Sequence, residues 1–141
     1  VAVHGLVYLL HVGRAASSRE LADNICTNPA RVRKIMGELH RAGLLSSREG
    51  RGKGGYRALP ESGEITLEQV LDAVGEPAVP AAWRTGDMDR ECLISSGMGK
   101  MMDGLCRELD GLCRARLAQI TVGAVCAQLF EEKPDSAADD S

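Results

Sequence analysis

LADNICTNPARVRKIMGELHRAGLLSSREGRGKGGYRAL, residues 21–59, contains the two breaks that decide how this chain folds. The first is Cys26-Thr27-Asn28-Pro29. Asn28 is a good helix N-cap, and Pro29 suits the first position of the helix that follows. Upstream, Ser17 or Ser18 caps a short helix with Glu20 in its first turn, and Leu21, Ala22 and Ile25 form its inward face. Downstream, Val32, Ile35, Met36 and Leu39 recur at helical spacing, while Ala30, Arg31, Arg33, Lys34 and Arg41 take the outward face. Gly43 supplies the stop. The second break is the glycine cluster Gly50, Gly52, Gly54 and Gly55. Two strand-like runs, Leu44-Leu45-Ser46-Ser47 and Tyr56-Arg57-Ala58-Leu59, bracket it and predict a β-hairpin. Gly50, Gly52 and Gly55 also spell G-x-G-x-x-G, but Tyr56 to Pro60 is a poor helix start, so a dinucleotide loop is excluded.

Two helices joined by a tight turn, the second basic outward, followed by a basic hairpin, make a winged helix-turn-helix. The expected fold class is therefore mainly α with a small β-hairpin wing. Ser18, Thr27, Asn28, Pro29, Ala30, Arg31, Arg33 and Lys34 are the candidate DNA contacts of the helix-turn-helix. Arg48, Arg51, Lys53, Gly54, Gly55 and Tyr56 are those of the wing, where arginine and lysine reach phosphates or a minor groove.

The charge distribution agrees. Residues 1–60 carry ten Lys/Arg against four Asp/Glu, a net +6, while residues 61–141 carry seven against sixteen, a net −9. A basic half facing a polyanion follows, despite an overall charge of −3. The 141 residues suffice for one compact domain with an appendage, and 3% aromatics disfavour a large sheet core. No apolar run approaches the ~18 residues of a membrane span, and no signal segment is visible, so a cytoplasmic protein with no membrane partner is expected. Val1 is not a natural start, and residues before it are expected.

The opening VAVHGLVYLLHV is apolar nearly all round, as in a buried helix, with His4 and His11 on one face as buried or half-buried, hydrogen-bonded histidines. Thr66 caps a short helix in ITLEQVLDAV, and GEPAVPAAWRTGD is a Pro/Gly-rich connection. A long helix is predicted from about Ser96 to Leu117. Met98, Met102, Leu105, Leu109, Leu112 and Leu117 form its apolar stripe at roughly a/d spacing, which must be buried within the monomer or against a partner.

The residues LADNICTNPARVRKIMGELHRAGLLSSREGRGKGGYRAL and ITLEQVLDAV resemble the Rrf-two family of bacterial winged-helix transcription regulators, from Val1 to about Leu129. Its relatives include an iron–sulfur cluster regulator, a nitric-oxide-sensing repressor and a repressor of cysteine metabolism. The resemblance implies a homodimer joined through the long helix, with double-stranded DNA as partner. The expected organisation is a DNA-binding domain over 1–76, a linker over 77–95, a dimerisation helix over 96–117 and a closing helix over 117–130 packed back on the domain. A disordered acidic tail over 131–141 completes the chain.

Cluster-binding relatives carry three closely spaced cysteines near the start of the long helix. Here Cys92 stands at the first position, and the same spacing then lands on Met98 and Gly104. Cys106 and Cys113, seven apart, border the apolar stripe and read as small core residues. Without a C-x-x-C or C-x-x-H pair, zinc is not expected. Cys92 is open to three readings: incidental, a thiol switch helped by nearby Arg90, or a cluster ligand. The arrangement resembles the cluster-free branch, so no cofactor is expected. No motif places a His, Asp or Asn to activate a thiol, so an enzyme is not expected. The reading is a sequence-specific DNA-binding regulator, a repressor, acting as a homodimer and responding to a redox or thiol signal. The alternatives are docking onto a metabolic enzyme, or an iron–sulfur sensor of the same family.

Overall fold

A computed structural model of the chain describes residues 1–50, 54–81 and 85–132. Ten or so residues of nearly continuous apolar sequence become α1, Ala2–Val12, whose Leu6 and Leu9 are fully buried at the centre of the core. Its histidines depart from expectation. His4 and His11 share a face, but that face is exposed: His4 bonds Asn24 Oδ1 at 2.8 Å, and His11 stacks on Phe130 at 4.3 Å between ring centroids. The apolar positions of α1 outnumber the surfaces packed on it, and the two polar rings take the side left to water.

Helix α2, Ser18–Ile25, begins at Ser17, whose hydroxyl accepts the Glu20 amide at 3.1 Å. Helix α3, Pro29–Arg41, begins at Asn28. It ends in a Schellman arrangement: the Leu44 amide reaches the Leu39 carbonyl and the Gly43 amide that of His40, with Gly43 at φ 76°. Leu21, Val32, Met36 and Leu39, all buried, lock these two helices onto α1. Strands β1, Ser46–Arg48, and β2, Gly55–Arg57, pair antiparallel with Ser47 opposite Tyr56. Each starts or ends within two residues of the sequence expectation, because Leu45 and Ala58 turn into the core and the Leu59 amide bonds the Ser62 hydroxyl rather than continuing the ladder. A 3-10 turn, Ser62–Glu64, leads to α4, Leu67–Val74, which opens with a full capping box between Thr66 and Gln69.

Helix α5 spans Leu93–Leu117 and starts three residues before the expected Ser96. The pair Ser95-Ser96 resembles a cap in sequence, but the Ser96 amide already bonds the Cys92 carbonyl at 2.9 Å. A turn over 118–121 follows, and α6, Val122–Glu131, capped by Thr121, packs against α1 and the 3-10 turn. Glu131, expected in the tail, is the last residue of this helix, and residues 133–141 lie outside the described set.

A polar tie closes the α1–α2 corner. Arg14 grips both oxygens of Glu20, at 2.6 and 3.2 Å, and the Tyr8 hydroxyl donates to the same carboxylate at 2.7 Å. These hydrogen bonds, Arg14 first and Tyr8 second, hold the Glu20 carboxyl below its usual range. The folded pKa being the lower one, this contribution to stability is complete above the unfolded carboxylate value of about 4.3. It is lost as the pH falls through the folded value. Glu20→Gln is therefore expected to lower the urea midpoint at neutral pH, and the two proteins should converge in acid. A difference that persists unchanged at acid pH contradicts this assignment.

Candidate nucleic-acid interface

Helix α3 projects its basic side because the opposite side is consumed by the core. Val32, Met36 and Leu39 are buried, and Ala30, Arg31, Arg33 and Lys34 are thereby exposed. The Asn28 side chain accepts the Arg31 amide at 2.8 Å, which satisfies one of the free donors of the first turn and fixes where the helix begins. The remaining N–H groups of that turn point away from the helix body and favour an anion. Pro29 and Thr27 are half-buried, and the Thr27 amide bonds the Ala22 carbonyl at 3.0 Å, so the turn itself is held by backbone. Cys26, the C-cap of α2, sits at φ 60° and leaves its thiol exposed there. Ser18, half-buried in the first turn of α2, lies beside the cap Ser17. Asn28→Ala is expected to cost about 1 kcal/mol in urea denaturation, whereas Asn28→Asp, which keeps the acceptor, should cost nothing.

The wing is anchored by a residue that the sequence did not single out. Ala16, between α1 and α2, pairs with Tyr56: each amide donates to the other's carbonyl at 2.9 Å, adding a one-residue third strand. Tyr56 is half-buried against the core, and burial raises its hydroxyl pKa while the nearby Arg33 charge opposes that rise. Its side chain is thus a wing anchor beside the helix. Gly55, at φ 132°, brings its Cα so close to Ala16 that an added Cβ would meet the Ala16 carbonyl oxygen at 2.5 Å. Gly54 lies across the hairpin from Gly50 and Arg48 in the same way. Both glycines therefore shape the wing. Arg48 and Arg57 are exposed on it, while Arg51 and Lys53 lie outside the described residues. Among the described residues no ion pair engages Arg31, Arg33, Lys34 or Arg48. The result is a surface with a capped helix N-terminus, exposed Arg31, Arg33 and Lys34 in the first half of α3, and exposed Arg48 and Arg57 on the adjacent hairpin. Such a surface suits a polyanion.

The Rrf2 family, described as iron-dependent transcriptional regulators, matches residues 1–128. The chain belongs to the Rrf2 family. It is accordingly a transcriptional regulator rather than an enzyme, and its mainly helical architecture with a two-stranded hairpin is the winged helix of that family. A candidate transcriptional regulator from Lactobacillus plantarum superposes with a TM-score of 0.77 at 28% identity, over 93% of this chain and 88% of that one. IscR from T. potens follows at 0.63 and 14%, over 99% and 88%. CymR, the global cysteine regulator of B. subtilis, superposes at 0.52 and 19%, over 88% and 91%. No curated protein matches the chain.

The thiols of this Rrf2 chain do not converge as a cluster would require. Cys92 and Cys106 are separated by 14 positions, which at about 1.5 Å per residue places them some 20 Å apart along α5. Cys106 is buried, and Cys113, expected in the core, is exposed because α5 is covered on one side only. Among the described residues no group of three His, Cys, Asp or Glu could hold a metal ion. Cys92 is exposed at the N-cap position of α5. The backbone amides of Ser95, then Ile94, face its sulfur without forming a full cap and lower its pKa, so the helix start, not Arg90, perturbs this thiol. No helix among the described residues is long and apolar enough to cross a membrane.

The predicted stripe on α5 is present but rotated. Leu105 and Leu112 are 41% and 64% exposed, whereas Met98, Met102 and Leu109 are half-buried. Ile94, at 74%, and Met101, at 70%, complete the exposed side. Ile94 lies before the expected helix start at Ser96, and Met101 lies one position from Met102, which the expected stripe took instead.

Proposed function

We propose that the chain is a sequence-specific DNA-binding repressor that acts as a homodimer, with α3 in the major groove and the hairpin on the flanking backbone. The observation that carries this reading is the exposed cationic set on α3, Arg31, Arg33 and Lys34, which makes no ion pair among the described residues and is set beside Arg48 of the wing. The dimer is supported by Ile94, Met101, Leu105 and Leu112, four large apolar side chains in one exposed row at spacings of seven, four and seven. Isolated exposed apolar residues are ordinary, but a continuous helical row implies a partner. Arg31, at the helix start, contributes to base preference; Lys34 and Arg48 hold phosphates. Cys92, exposed and with its thiol pKa lowered, is the residue through which an oxidant would act.

The test is selection of genomic fragments with reduced protein at low salt, followed by titration of the recovered site. Binding should be to a near-palindromic sequence. If each subunit neutralises three phosphates, the affinity should fall with a log–log salt slope of about −5. Arg48→Ala should weaken all sequences alike and flatten that slope by about 1, while Arg31→Ala should relax base preference. Recovery of no specific fragment overturns the proposal.

A further inference from the structure

Among the described residues, hydrogen bonds join helix α5 to the winged domain and the connection after it at two places. At its C-terminal end the Leu67 amide reaches the Ile120 carbonyl at 2.9 Å, and the Val122 amide reaches that of Ile65 at 2.8 Å. These two backbone bonds, around the Thr66–Thr121 bridge, form a pivot. A pivot alone leaves the tilt of a long helix open.

The second attachment is Arg114. Its Nε donates to Asp110 Oδ2 at 2.9 Å on its own helix, one nitrogen to Asp72 Oδ1 at 2.5 Å on α4, and the other to the Glu76 carbonyl at 3.2 Å just beyond α4. The other oxygen of Asp110 accepts the Val79 amide at 2.9 Å. One planar guanidinium thus joins α5, α4 and the connection that leaves α4, using the fork geometry that a lysine lacks. Arg114 is 25% exposed and Asp110 22%, so the network is sheltered more than a surface pair. It lies three residues from the helix end at Leu117, about 5 Å along the axis, whereas the whole helix runs about 37 Å. A small change of angle at Arg114 is therefore magnified several-fold at the Ile94 end.

We propose that Arg114 is a positioning residue that fixes the tilt of α5 against the winged domain, and so sets the spacing at which two recognition helices meet two half-sites. The spacing part rests on the DNA-binding dimer proposed above; the tilt part does not. Arg114 touches no surface assigned to DNA, so its contribution to specificity is purely geometric.

Two measurements separate these parts. Spin labels at Arg41 and Lys100, both exposed, are placed in one chain with Cys26, Cys92 and Cys113 replaced by serine, and diluted with unlabelled protein. The intact clamp should give one narrow distance, while Arg114→Ala should broaden it or shift it by about 5 Å. Asp72→Ala, which removes one bond at an exposed position of α4, should give a smaller change of the same kind and guards against misfolding of the first variant. An unchanged distribution in both variants overturns the clamp. In the second measurement, operators are built with half-sites moved by one or two base pairs. The wild-type chain should prefer one spacing by about tenfold, and Arg114→Ala should flatten this preference while its affinity for a single half-site stays the same. An unaltered spacing preference overturns the role in specificity. If the wild-type chain selects no DNA at all, the proposed function fails while the distance measurement still decides the clamp.

Discussion

Leu112→Asp should convert the protein to a monomer. Leu112 is 64% exposed in the single chain, so aspartate there leaves the folded domain undisturbed. In the proposed dimer the same position is buried against its symmetry mate or a neighbour in the row. Burying a leucine is worth about 1.5–3 kcal/mol, and the substitution occurs twice. The dimer should therefore weaken by about 3–6 kcal/mol, on the order of a hundredfold to ten-thousandfold in its dissociation constant, before the desolvation of two carboxylates is added. Leu109 is a poorer test, since it is half-buried within the chain and its loss mixes folding with association. Sedimentation at micromolar concentration gives the readout, together with a DNA titration that should show only half-site affinity. A fully intact dimer at that concentration would place the contact on another surface.

The second large effect is expected at Gly55. Valine there meets two obstacles: a backbone φ of 132°, which a branched residue does not tolerate, and the Ala16 carbonyl oxygen at 2.5 Å from its Cβ. The backbone strain alone is about 1–3 kcal/mol. Relief requires β2 to leave Ala16, which breaks the reciprocal pair of hydrogen bonds to Tyr56 and frees the ring from the core. The helices do not depend on that pair, so far-ultraviolet circular dichroism should stay close to the parent. DNA affinity should fall about ten- to a hundredfold as the wing cations lose their position, with a shallower salt dependence. Gly55→Val with parental affinity would show that the hairpin does not contribute to binding.

Local chemistry was sufficient for much of this molecule. Asn28 before Pro29, Ser17 before Glu20 and Thr66 before Gln69 each cap a helix through atoms three residues away, and such short-range bonds are written directly in sequence. The apolar spacing of Val32, Met36 and Leu39 likewise determined that Arg31, Arg33 and Lys34 would face out. What the sequence left open depended on partners distant along the chain. The seat of the wing required Ala16 to meet Tyr56, forty positions away, and no pattern in either segment announces that pairing. The side of α5 that is covered depended on where Pro77, Val79 and Ala81 come against Asp103, Cys106, Arg107 and Asp110, so Met98, Met102 and Leu109 were legible as apolar but not as half-buried. In sequence, Arg114 is one charge among several on a long helix. Only the tertiary fold, by bringing Asp72 and the Glu76 carbonyl to it across about forty residues, turned it into a junction. Periodicity specifies which residues share a face; which face is covered, and by what, is decided by loop closure and packing between elements that the chain itself keeps apart.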